Sequence, residues 1–464
     1  MEAGLFRFLR FSLGLEGEAK GLLDGRKGSF DWDACYQFAK RQTLVGVLFD
    51  GIQRLPKELA PARPLLLRWL SDSESIRRRN MRIDRASAYI YNKVCAAGFR
   101  CCILKGQGNA LLYPHPSSRT PGDVDVWVMA NREELRHIAL SLTEGDGSSL
   151  QESLNHIGLT VHGVSMELHS TPALLNSPLH NSRLQKWLKR NADLQCSNRI
   201  ALPNNAGEVA VPTLSFNIIY QLCHLFHHCF YEGVGLRQIV DYYFVLMNTD
   251  FSGNTDEASG NTDGVSGNTD EGCLFLNTDF TDFTDKGAGN TDEDGVLSNT
   301  DYTDFTDRVS ENTDEGCFLL NTDCADFLDS SSGGLGEVDS GGALVALQEE
   351  LKWLGLGEFA GAVMYVLREV MGLDEKRMIC APDERRGRLL LEEIMAGGNF
   401  GHYDTRNHFG QGALWHNIQR FRRDWRMLRF YPSEALSEPL FRAWHFLWRW
   451  KQKHIGMPKE RNLN

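Results

Sequence analysis

The 464-residue chain is 42% hydrophobic and 10% aromatic, as globular proteins are, and is long enough for two or three domains. No run reaches the roughly 18 apolar residues of a membrane span. The 11 cysteines contain no Cys-x-x-Cys pair, which argues against a metal finger and for reduced thiols in a cytoplasmic protein.

The net charge of -12 is unevenly placed. Between Asn248 and Ser340, 23 acidic residues face only Lys286 and Arg308, which leaves the rest of the chain at +9. A mildly basic remainder suits a phosphate-bearing ligand without demonstrating one.

Along the chain, residues 1–97 read as a helical N-terminal region. The opening GLFRFLRFSLGL is broken by Arg7 and Arg10 and lacks a small-residue cleavage site, so it reads as an amphipathic helix and not a signal peptide. Asp31 to Gly51 shows helical spacing, and prolines at 56, 61 and 64 mark a loop before a long helix from about Leu65 to Ala97. Residues 98–170 change period. FRCCILKG is a short apolar strand, GNALLYP a short helix, DVDVWVM an alternating strand, Arg132 to Leu142 a helix, and LTVHG and VSMELHS two strands meeting near Gly163. This order gives an α+β core with a small mixed sheet flanked by helices.

Residues 171–247 read as a helical region after the loop around Pro203 and Pro212. From 248 to 341 the triplet Asn-Thr-Asp recurs nine times at irregular spacing. Low apolar content with dense negative charge predicts a disordered acidic insertion, and the missing fixed period argues against a calcium-binding repeat. Residues 342–464 resume the helical pattern. The tail FRAWHFLWRWKQKH is a basic aromatic helix, read here as packed on its own domain in preference to touching membrane or nucleic acid.

The chemistry concentrates in the core. On a strand, Asp123 and Asp125 point to one face while Val124 and Val126 point to the other. Two adjacent carboxylates repel unless a cation lies between them, and a hard divalent ion suits them. Lys105-Gly106 stands where a strand turns into a helix, a place where free backbone N–H groups and a point charge can meet phosphate. In VSMELHS, Glu167 shares a face with Ser165 and His169, opposite Val164, Met166 and Leu168. Beside Asp125 in a sheet it would complete a carboxylate triad. Weaker features are His224, His227 and His228 in one helix, read as packing or acceptor contacts, and Asp241, read as facing a cleft or bonding Arg237. The Gly-rich segment Gly397 to Gly410 reads as a connecting loop.

The run LKGQGNALLYPHPSSRTPGDVDVWV resembles the signature of an uncharacterised bacterial nucleotidyltransferase family related to the polymerase-beta-like and minimal nucleotidyltransferases. Lys105-Gly106, Tyr113-Pro114, Arg119 and Asp123-Val124-Asp125 match its pattern, and Glu167 to His169 resembles its following strand. The likeness extends more weakly over 216–247 and 344–403. It implies Mg²⁺- or Mn²⁺-dependent transfer of a nucleoside monophosphate from a nucleoside triphosphate such as ATP to an acceptor hydroxyl. Asp123, Asp125 and Glu167 are then the catalytic and metal-binding residues, and Lys105, Gly106 and Arg119 bind the nucleotide. The acceptor (protein, small molecule or RNA) is not specified, and no membrane partner is implied. The wider superfamily has Gly-Gly or Gly-Ser where this chain has Lys105-Gly106, so the alternative is a catalytically inactive module of the same fold.

Overall fold

The computed structural model describes residues 2–17, 30–143, 150–251, 340–404, 406 and 413–455. The chain divides into two units, Met1–Ser252 with Val338–Asn464, and Gly253–Glu337. The second unit, and with it residues 252–339 of the disordered insertion expected over 248–341, lies outside the described residues.

The N-terminal region folds as α1 (Glu2–Ser12), α2 (Trp32–Arg41), α3 (Val45–Gln53) and α4 (Arg63–Ala96). Asp31 caps α2 by accepting from the Ala34 N–H, and Thr43, at φ 55°, breaks the apolar run into two helices. Gly98, at φ 86°, releases the chain from α4, as a residue free of a Cβ can. It leads into β1 (Cys101–Leu104), the five-residue α5 (Gly106–Ala110) and β2 (Val124–Val128). The next helix, α6 (Arg132–Leu142), starts with a capping box between Asn131 and Glu134. Then come β3 (Gln151–Glu152), β4 (His156–Val161) and β5 (Val164–His169). His162 and Gly163 both have positive φ, the requirement of a two-residue hairpin turn whose twist matches the strands.

The five strands form one mixed sheet in the order β1-β2-β5-β4-β3. β2 and β5 are parallel, with Asp125 opposite Glu167, and the other neighbours are antiparallel. One face carries Ile103, Val124, Val126, Met166 and Leu168 into a core with Leu135 and Ile138 of α6 and Ile83, Ile90 and Val94 of α4. Each such buried aliphatic side chain contributes roughly 1.5–3 kcal/mol. The opposite face carries Cys102, Leu104 and Trp127 into a second, larger core.

After the sheet the chain forms α7 (Pro178–Ser197), a hairpin of β6 (Arg199–Leu202) and β7 (Gly207–Ala210), then α8 (Leu214–Tyr231) and α9 (Leu236–Asn248). Trp127 stacks on Phe216 of α8 at 5.9 Å, and Phe216 stacks on Trp187 of α7 at 4.6 Å. This aromatic ladder holds α8 over the face of the sheet that carries Asp125. The remaining helices are α10 (Ser340–Trp353), α11 (Gly357–Met371), α12 (Glu384–Gly397), α13 (Ala413–Leu428) and α14 (Pro432–Ile455).

The tail helix departs from its reading. α14 buries Ala435, Glu434 and Glu438 and leaves Leu436, Leu440, Trp444, Phe446, Leu447 and Trp450 exposed. Its polar face is the anchored one, because the Glu434 carboxylate accepts from the N–H groups of Asn176 and Ser177. Among the described residues no helix is long and apolar enough to cross a membrane.

Candidate functional site

Strand β2 delivers the acidic pair. Asp123 lies just before the strand, exposed at a cleft mouth, and Asp125 lies two residues on, buried at 6% exposure. Both line a cleft open to solvent, walled also by Lys105, Gly106, Asn109, Arg119, Gly122, Gln221, His224, Arg237, Gln238, Asp241 and Phe400.

The charges around Asp125 explain its state. Lys105 Nζ is 3.0 Å from its Oδ2 and His169 Nε2 is 3.0 Å from its Oδ1. Burial opposes its charge, but these two partners outweigh burial and hold its carboxyl well below the usual range. Asp123 shifts the other way. Protein crowds it on the inner side although it is open at the mouth, and the nearby charge of Asp125 adds to that desolvation, so its pKa is raised. A carboxylate short of compensating charge beside a second one is a donor set that a divalent cation fits.

Glu167 sits across from Asp125 on β5, as the triad reading requires, but His169 stands between them. His169 Nε2 is 3.3 Å from Glu167 Oε2, and His156 Nε2 is 3.6 Å from Glu167 Oε1. Glu167 therefore faces two imidazoles and is not among the residues lining the cleft. Burial disfavours the charge of Glu167, yet the His169 hydrogen bond prevails and lowers its pKa. For His169, burial is outweighed by hydrogen bonds to Asp125 and Glu167, and its pKa is raised.

Lys105 is strained, with φ at 51°, and its Nζ also lies 3.2 Å from His224 Nε2. Burial, then the charge of Lys105, pushes His224 well below its ordinary pKa, so a neutral ring accepts from the ammonium. His228 Nε2 is 2.9 Å from the same nitrogen, and Glu232 lies 3.1 Å beyond His228 Nδ1. Helix α8 thus lines the cleft with Gln221 and His224, and His228 continues the polar row behind them, the histidines being residues expected to make packing or acceptor contacts.

Arg119 holds a different position from that of a freely phosphate-facing arginine. It is 3% exposed, and its Nε and Nη2 donate to Asp241 of α9 at 2.7 and 2.8 Å. The Tyr113 hydroxyl donates to the same carboxylate at 2.7 Å. Asp241 therefore bonds Arg119 and Tyr113, and Arg119 Nη1 has no hydrogen-bond partner. Next to it, Arg237 is buried, with Nη1 on the Thr120 carbonyl at 2.9 Å and Nε without a partner. Burial and the charge of Arg119 lower the Arg237 pKa. His156, His169, His224 and Arg237 belong to this site by packing and register. The sequence signals are His169 sharing the face of Glu167, His224 in the histidine run of α8, and Arg237 one turn before Asp241; nothing marks His156.

A family model described as an uncharacterised nucleotidyltransferase matches residues 28–258, just under half of the chain. The expected extension of the likeness to 344–403 falls beyond the matched residues. No curated protein matches. Among solved structures the chain is similar to an antigenic nucleotidyltransferase-like protein from Paracoccidioides brasiliensis. The identity is 16%, over 35% of this chain and 75% of that one, with a TM-score of 0.24, too slight a likeness to bear on fold or function.

Proposed function

We propose that the chain is a polymerase-beta-type nucleotidyltransferase that moves a nucleoside monophosphate from a nucleoside triphosphate to an acceptor hydroxyl. The observation that carries this reading is the pair Asp123 and Asp125 opening on a cleft whose inner wall is cationic, with Lys105, Arg119 and Arg237 lining it. Asp123 and Asp125 would hold Mg²⁺ or Mn²⁺, while Glu167, one strand away, faces His156 and His169 instead of the cleft. Such an ion, when bound, neutralises phosphate charge and orients the reacting oxygens.

The chain's own residues do the rest. Of the two partners of Asp125, His169 is a buried ring, whereas Lys105 is on a flexible four-carbon stem. Lys105 is thus the group that can turn from Asp125 to a phosphate oxygen. Arg237 offers an Nε donor without a partner in the same wall, and a buried guanidinium that shares one carboxylate, Asp241, with Arg119 favours an anionic guest. Arg119 contributes through Nη1 while its other donors fix the Arg119–Asp123 segment to α9. Gly106, at φ 44°, lets the backbone pass close to the ligand. Asp125, held ionised, is the acceptor of cations here and not a proton donor.

The alternative is an inactive binding module, and one observation favours it. Both oxygens of Asp125 already have a partner, Lys105 and His169. The test is incubation of the full chain with labelled ATP, GTP, CTP or UTP, Mg²⁺ and a cell lysate. Transfer of label that is abolished by Asp125→Ala supports the enzyme. Triphosphate binding without transfer supports the module, and neither binding nor transfer defeats both.

A further inference from the structure

We propose that His156, Glu167 and His169 form a separate transition-metal site that prefers a borderline ion such as Zn²⁺ to Mg²⁺. The inference rests on the geometry of β4 and β5 and not on nucleotidyl transfer.

Register brings the three together. His156 of β4 lies directly opposite His169 of β5. Glu167 is two residues from His169 and so shares its face, and Gly158, opposite Glu167, puts no side chain in the way. The ligand atoms of the three residues all lie within 4.8 Å of one another. His169 Nε2 is 3.3 Å from Glu167 Oε2 and His156 Nε2 is 3.6 Å from Glu167 Oε1, one ring to each carboxylate oxygen. Zinc bonds of 2.0–2.1 Å in a tetrahedron place donors about 3.4 Å apart, so a small turn of the carboxylate brings one oxygen into range of both rings. Each ring turns its Nε2 toward Glu167.

The donor types set the preference. Two imidazoles and one carboxylate suit zinc, cobalt or iron(II), whereas Mg²⁺ takes oxygen donors. Three protein ligands leave a fourth position open, the pattern of a site that takes water or substrate. The side chains of His156 and Glu167 are 24% and 30% exposed, which gives an ion a way in from solvent. Asp125 Oδ1 lies 3.0 Å from the same His169 Nε2, so an ion here takes over that contact, and the site adjoins the cleft although none of its three residues lines it.

The test uses the full chain stripped with a chelator, then dialysed against Zn²⁺ or Co²⁺ with excess Mg²⁺ present. The expected result is one bound ion per chain and, for Co²⁺, the intense visible absorption of a tetrahedral site. His156→Ala should weaken binding by about tenfold or more, and His156→Gln should do the same with the thermal midpoint of the stripped protein unchanged. Asp123→Ala should keep the ion. The proposal is overturned by no binding, by equal affinity in the wild type and both His156 variants, or by displacement by Mg²⁺ at equal concentration. Zinc binding without any nucleotidyl transfer would remove the transferase reading alone.

Discussion

Replacing Asp241 with asparagine keeps its volume and removes its charge, which isolates the role of the buried ion pair in the cleft wall. In the wild type one carboxylate compensates Arg119 through two short hydrogen bonds and also accepts from Tyr113. Both side chains of the pair are nearly inaccessible, at 4% and 6%. Each hydrogen bond to a charged group contributes on the order of 1.5–3 kcal/mol, but the three are not additive because they share one acceptor. Breaking a buried pair from one side costs about 3–5 kcal/mol, since the remaining charge is stranded. Here the stranded charges would be two, because Arg237 shares the wall. Urea unfolding followed by circular dichroism should therefore show Asp241→Asn losing about 3–5 kcal/mol, a large share of the 5–15 kcal/mol typical of a domain. The double variant Arg119→Met with Asp241→Leu should recover much of that loss, because an apolar pair of similar volume carries no desolvation cost. If Asp241→Asn stayed within about 1 kcal/mol of the wild type, or the double variant were no better than the singles, the structural role given to Arg119 would be refuted.

Other perturbations read other parts of the molecule. Arg237→Met should raise the KM for the triphosphate about tenfold, the equivalent of 1.4 kcal/mol, with a smaller change in kcat; unchanged nucleotide affinity would remove Arg237 from the anion-binding wall. Gly46→Ala places a methyl carbon 2.3 Å from the Ser118 carbonyl oxygen, so α3 and the turn before Arg119 must separate, and the thermal midpoint should fall by the equivalent of about 1–3 kcal/mol. Asp424 is buried beside Glu438; burial first and that neighbour second raise its pKa to about 7. The folded state then holds a proton that the unfolded chain, with a pKa of about 3.9, has released. Stability from this group therefore falls as pH rises through that window, and the gain from Asp424→Asn should grow between about pH 4 and about 7 and then level off. A gain independent of pH would contradict the assignment.

How much of this was legible beforehand follows from the range of each interaction. The two-residue alternation of Asp123 to Val126 and of Val164 to His169 is local, and the structure keeps both faces as read. The hairpin turn at His162-Gly163 is likewise local. What escaped was either weakly patterned or long-range. In α7 the buried positions Leu184, Trp187, Leu188, Ala192 and Gln195 are separated by Lys, Arg and Asn, which dilutes the apolar period. The β6–β7 hairpin hides behind Asn204, Asn205 and Gly207, all at positive φ, so its residues read as loop.

The site divides along the same line, and its unread half decides its chemistry. That Asp125 and Glu167 face each other depends on β5 pairing in parallel with β2, a choice of topology that no spacing between them encodes. Once that pairing exists, His169 must come with Glu167, two residues along the same face, and His156 must come with His169 across the antiparallel hairpin. In this arrangement the His169 ring stands between the two carboxylates, with Nε2 3.0 Å from Asp125 and 3.3 Å from Glu167. The same constraint that brings the third carboxylate to the site hands it two nitrogen donors. Thus the acidic pair at the cleft mouth and the Glu167 cluster differ in the ions they favour although they occupy neighbouring strands.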